Sequence, residues 1–89
     1  MTRFLQSTLR TVARDIEEYR ATWGQVREAA TAVNVRAWIF RAADSPHQFI
    51  EFLEWSAPGE NAVLLPHLHE QLKKLDRFGS GITQQWLDP

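Results

Sequence analysis

The run Phe49-Ile50-Glu51-Phe52-Leu53 sets one carboxylate in the middle of an otherwise apolar stretch. A carboxylate desolvated in this way holds its proton to higher pH and is suited to act as a base. The structural alternative is an ion pair with Arg36 or Arg41, or an inward charge that discourages mispairing of strands. The two readings differ in outcome: Glu51→Gln abolishes turnover for a base and gains stability for a merely buried charge. Histidine is the other side chain that moves protons near neutrality. His67 and His69 are two residues apart, about 200° on a helix, so they cannot share a metal as an i,i+4 pair would. Against the leucine stripe of their segment, His67 falls on the solvent side and His69 at the border. His69 is therefore the second candidate base and His67 a candidate for a pocket mouth. His47 sits in a turn and is expected to be exposed.

Other chemistries find no support. The chain has no cysteine, which excludes disulfides, thiolate nucleophiles and cysteine-ligated metals. Gly79-Ser80-Gly81 reads as a helix stop leading into a strand rather than a phosphate loop. No serine has a nucleophile's context. Ten basic residues nearly balance eleven acidic ones, so no nucleic-acid partner is expected. No apolar run approaches the ~20 residues of a membrane span, and the opening residues lack the apolar core of a signal peptide. The expectation is one soluble, cytoplasmic domain over residues 1–89, with no cofactor and no metal.

The elements that must position these groups follow from composition and spacing. Val33–Ala43 and Gln48–Trp55 have strand composition, and Asp44-Ser45-Pro46 between them is turn chemistry with proline outside both ladders. Ahead of this hairpin, Ile16, Tyr19, Trp23, Val26 and Ala30 recur at three- and four-residue steps and predict an amphipathic helix. Asp15 and Glu18 suggest its capping box, with Thr11 as an earlier alternative start. Gly24 costs that helix about 1 kcal/mol or permits close packing. A second helix is expected over 61–78, with Leu65, Leu68, Leu72 and Leu75 as its stripe, a kink or fresh start at Pro66 and a stop at Gly79. Gly81–Leu87 reads as a last strand. Residues 2–12 continue the first helix's stripe backwards, yet Thr2, Phe4, Ser7, Thr8, Thr11 and Val12 are poor helix formers, and propensity favours a strand. The order is then β-α-β-β-α-β, a ferredoxin-like α+β sandwich: a four-stranded antiparallel sheet with both helices on one face.

Both hairpin faces are apolar. Trp38, Phe40, Ile50 and Phe52 share one face if the pairing keeps parity; Val35, Ala37, Ile39, Phe49, Leu53 and Trp55 share the other, with Arg41 and Glu51. Two helices cover one face only. Leaving the other wet forfeits about 1.5–3 kcal/mol per large side chain, so it is expected to meet a second subunit, a ligand, or both. Leu53 and Trp55 are expected on that partner-facing side, while Trp23 and Trp38 are assigned to the core. Trp55 and Trp86 are placed to line a cavity or a subunit contact.

The run from Phe40 to Val63 resembles the central hairpin of the dimeric α/β-barrel superfamily, in particular the antibiotic-biosynthesis-monooxygenase-like group. The resemblance rests on Phe40-Arg41, Asp44-Ser45-Pro46, Phe49-Ile50, Trp55, Ala62 and the histidines 67 and 69. It implies a homodimer in which two uncovered sheet faces close a barrel, with a cavity in each half for a small apolar or aromatic ligand. Some members oxidise aromatic substrates with oxygen and no cofactor; a cofactor-independent monooxygenase is therefore the first expectation, with Glu51 or His69 as the candidate base identified above. Trp55, Trp86, Leu53, Phe49, Arg41 and His67 are then the expected ligand contacts. A non-catalytic ligand-binding or assembly dimer is the alternative, and haem binding or degradation the third choice.

Overall fold

Residues 2–12 settle the ambiguity in favour of a strand. In the computed structural model, which describes residues 2–57 and 65–89, β1 runs Thr2–Thr11. Its threonines and aromatic residue suit a pleated surface better than a helix. The chain continues as α1 (Ile16–Thr31), β2 (Arg36–Arg41), β3 (Gln48–Ala57), α2 (Pro66–Lys73), a 3-10 helix (Lys74–Phe78) and β4 (Gly81–Leu87). The sheet order is β2-β3-β1-β4 with every pairing antiparallel. This is the expected ferredoxin-like arrangement, with both helices on one face.

Local signals explain the element ends. Asp15 stands at the helix start, but in the left-handed region (φ 60°) and without a side-chain cap, so the expected capping box does not form. The end of α1 is set by Asn34, also left-handed. Val35 N–H donates to Ala30 O at 2.9 Å and Asn34 N–H to Thr31 O at 3.2 Å, the Schellman closure that asparagine tolerates. Pro66 is the first residue of α2, a fresh start that uses a position needing no N–H. Residues 61–64 of the expected helix lie outside the described residues. Gly79 ends the segment at φ 151°, where a Cβ would run into the carbonyl oxygen of Thr11. Gly24, by contrast, has no described residue near its would-be Cβ, so none of them packs closely on it.

The hairpin keeps parity: Trp38 lies opposite Phe52, and Ala37 opposite Leu53. The assignment of faces is the reverse of the expectation. Val35, Ala37, Phe49, Leu53 and Trp55 are buried with Tyr19, Trp23, Val26, Leu68, Leu75 and Phe78 in the core beneath the helices. The uncovered face carries Leu5, Leu9, Trp38, Phe40, Ile50, Phe52, Ile82 and Trp86. Phe40 is 61% exposed and Ile82 75%. Trp38 is thus not a core residue; it stacks on Phe52 at 5.3 Å on the open side. Leu53 and Trp55 cannot face a partner, because the helices already hold them.

Candidate functional site

On the helix-covered side, β4 is left bare: all seven of its residues are exposed. Between β4 and α2 lies a cleft of about 280 Å³. Its floor is a polar ladder across β1 and β4. Thr8 and Thr83 hydroxyls are 2.9 Å apart, and Gln85 Nε2 donates to Gln6 Oε1 at 2.6 Å. Its roof is His69, Leu72, Lys73 and Asp76, whose three- and four-residue spacing puts them on one side of α2 and the 3-10 helix. Arg10 and Glu51 close the inner end.

The inner end is a buried ionic network. Arg10 and Glu51 are each only 5% exposed. Thr8 lies directly opposite Glu51, so Arg10 is its diagonal neighbour on the same face, within reach of a long side chain. Arg10 Nε donates to Glu51 Oε2 at 2.7 Å and Nη2 to Oε1 at 3.2 Å, a bidentate pair of the stronger, charge-assisted kind. Tyr19 Oη donates to the same Oε2 at 2.7 Å. Arg10 Nη1 reaches Asp76 Oδ1 at 3.2 Å and the carbonyl of Gly79. Burial opposes the guanidinium's charge, but Glu51 and Asp76 more than offset it and raise the pKa of Arg10 above its ordinary value. For Tyr19, burial comes first and the negative charge of Glu51 adds to it, pushing the phenol far above its usual range.

The arginine partner of Glu51 is therefore Arg10, not Arg36 or Arg41. Arg36 stands on the open face and pairs with Glu54 at 3.3 Å, while Arg41 lies opposite Phe49 near the hairpin end.

Of the expected site residues, Glu51 and His69 come together in the cleft. The others do not join them. Phe49, Leu53 and Trp55 belong to the core. Trp55 stacks on Phe4 at 5.6 Å, and its Nε1 has no hydrogen-bond partner among the described residues. Trp86 is on the opposite face, where its Nε1 donates to Ser7 Oγ at 2.9 Å. Trp55 and Trp86 thus cannot line one cavity within a protomer. His67 opens toward Gln25, Glu28 and Ala29 of α1, away from His69. Arg41 edges a separate hollow beside Ile16, Arg20 and Ile39. Sequence reading missed Arg10 and the ladder of Gln6, Thr8, Thr83 and Gln85. It gave Tyr19 a structural role and its buried hydroxyl an unspecified partner, which is Glu51. The available signal was the polar alternation of β1, which puts Gln6, Thr8 and Arg10 on one face.

Glu51→Gln should destabilise the fold by about 3 kcal/mol, measured by denaturant unfolding, because it strips the buried Arg10 of its counter-charge. This reverses the gain expected for an unpaired carboxylate; the low end of the range applies because Asp76 and Gly79 retain their hold on Nη1. Tyr19 is the only tyrosine, so ultraviolet phenolate absorbance reports it alone. Its folded pKa is raised, so the stability it contributes is complete below about pH 10 and falls as pH rises beyond the unfolded value. In an alkaline titration, phenolate should appear only as the chain unfolds; a separate earlier phenolate transition would contradict the buried hydrogen bond.

Solved structures share this architecture. SnoaB, a cofactor-independent oxygenase from Streptomyces nogalater, matches with a TM-score of 0.80 over 100% of this chain and 95% of its own, at 14% identity. A protein from Nitrosomonas europaea classed with the antibiotic biosynthesis monooxygenases gives 0.74 over 97% and 88%, at 13% identity. One from Deinococcus radiodurans, classed likewise, gives 0.74 over 100% and 93%, at 14% identity. No protein-family model and no curated protein matches the chain. The chain has the ferredoxin-like fold that these structures share.

Proposed function

We propose that the protein is a homodimeric, cofactor-independent monooxygenase acting on a compact aromatic enol or phenol in the β4–α2 cleft. The observation that carries this reading is the convergence of Glu51, Arg10, His69 and Lys73 on one polar cleft. A polar constellation at a cleft is what an enzyme needs and a merely apolar binder does not. The likeness to SnoaB, itself a cofactor-independent oxygenase, adds the reaction class by analogy of fold.

In this mechanism His69 takes the substrate O–H proton on an unprotonated imidazole nitrogen. Lys73, one turn further along α2, supplies positive charge toward the resulting enolate oxygen. Glu51, with both oxygens engaged by Arg10 and Tyr19, serves as the counter-ion that fixes Arg10 rather than as the base. The enolate carbon adds dioxygen to form a C–O bond and a peroxide. The peroxide takes back the proton held by His69, and loss of water then breaks its O–O bond together with the C–H bond of the same carbon, leaving a carbonyl. One oxygen atom enters the product and one enters water, and the substrate supplies all four electrons. The cleft, at about 280 Å³, stands just below the ~300–1,000 Å³ of most small-molecule sites, which favours a compact substrate.

The same small volume, with Glu51 already engaged, supports the second reading of a non-catalytic ligand-binding or assembly dimer. The dimer itself is common to both readings. Eight large apolar side chains share the uncovered sheet face, and a second copy is the occupant that would cover them.

Two outcomes are expected. Oxygen uptake with a panel of small naphthols should fall about a hundredfold in His69→Gln, the contribution of a general base; uptake by the variant equal to wild type removes His69, and binding without any uptake selects the second reading. The double variant Phe40→Glu, Ile82→Glu should be monomeric by light scattering where the wild type is a dimer. A monomeric wild type would end the dimer proposal.

A further inference from the structure

A second hollow, of about 440 Å³, lies between the first turns of α1 and the ends of β2 and β3. It shares no lining residue with the cleft. Ile16, Ile39 and Phe49 provide an apolar floor, while Glu17, Arg20 and Arg41 stand around it. Phe49 is held from behind by Tyr19, whose ring lies 4.9 Å away, so that part of the floor is backed by the core.

The charges at this hollow are unbalanced. Arg20 and Arg41 are exposed, and neither forms an ion pair among the described residues. Glu17 stands on the same rim but within ion-pair distance of neither. Two guanidinium groups against one carboxylate leave the rim with a net charge of +1. Arginine's planar fork matches a carboxylate and is weakly hydrated, so it gives up water to such a ligand more readily than lysine does. An apolar floor of this kind also takes up a flat ring. Inorganic phosphate would use the rim and waste the floor; a neutral hydrocarbon would do the opposite.

We propose that this hollow binds an aromatic carboxylate, its ring against Ile16, Ile39 and Phe49 and its charge between Arg20 and Arg41. The proposal is independent of the oxygenase reading, since the two sites use different residues.

Calorimetric titration of the full chain with 2-naphthoate tests it, with 2-naphthalenemethanol as the uncharged analogue of the same ring size. Naphthoate should bind about tenfold or more tightly than the alcohol, and its affinity should fall about tenfold in Arg20→Gln, Arg41→Gln. Raising salt from about 50 to about 500 mM should weaken it further. Both arginines are exposed, so the variant should keep the wild-type thermal midpoint, and Lys73→Gln in the cleft should leave naphthoate affinity unchanged. Equal affinity for the two probes, no naphthoate binding, or an unaffected double variant would overturn the proposal. So would a loss of affinity in Lys73→Gln, which would place the ligand in the cleft.

Discussion

The buried pair between Arg10 and Glu51 is the point at which the sheet, the first helix and the 3-10 helix are tied together. Two ions removed from water cost several kcal/mol each, and only full satisfaction of their hydrogen-bonding groups offsets this. Here Nε, Nη1 and Nη2 of the guanidinium all donate, and both carboxylate oxygens accept. The pair joins β1 to β3 across the sheet. Its remaining bonds leave the sheet: Tyr19 brings α1 to the carboxylate, while Asp76 and Gly79 bring the 3-10 helix and its exit turn to the guanidinium. One ionic cluster thereby sets how high the roof of the cleft stands above its floor. Any chemistry at His69 or Lys73 depends on that spacing, although neither residue touches the pair.

The two faces of the sheet differ sharply in character. Under the helices, the β2–β3 side is packed with aromatic and aliphatic groups, but the β1–β4 side carries glutamines and threonines that bond one another. Those polar residues are tolerable because they bond one another: Thr8, itself buried, meets Thr83, and Gln6 meets Gln85 on the exposed edge strand. The uncovered face is the greasy one. The polar cleft and the uncovered apolar face therefore lie on opposite sides of a single sheet and share no residue. A substitution such as Ile82→Glu can alter one without reaching the other.

Much of this was legible in the residues. The strand–helix order, the parity of the hairpin, the fresh helix start at Pro66 and the stop at Gly79 all follow from local chemistry. The choice of covered face did not. Alternation sorts Trp38, Phe40, Ile50 and Phe52 from Phe49, Leu53 and Trp55, but the two sets are about equally apolar, and alternation says nothing about which one the helices meet. The partner of Glu51 was hidden for a related reason. Arg10 is 41 residues away along the chain, and only the register of β1 against β3 makes them neighbours. Arg36 and Arg41 were nearer in sequence and on the next strand, yet Arg36 points to the opposite face, and Arg41, which flanks Phe49 from the other side just as Arg10 does, forms no ion pair among the described residues. Asn34 as the terminator of α1 was readable, since left-handed asparagine is a common helix end, but it competed with the strand-like Val33 and Val35 on either side.

An identity of 14% with SnoaB is enough to preserve this architecture because the architecture asks for pattern rather than particular residues. Alternating apolar positions, two amphipathic helices and turn residues at the right places can be met by many sequences. The cleft is different. A wet edge strand would accept almost any polar side chains, and packing alone would be better served by an apolar group at Glu51 than by an ion pair requiring Arg10, Tyr19, Asp76 and Gly79 to satisfy it. A cluster that is costly to assemble, at a place where apolar packing would serve the fold better, is informative in a way that the shared topology is not. It is in those residues, rather than in the common scaffold, that the chemistry peculiar to this chain has to be sought.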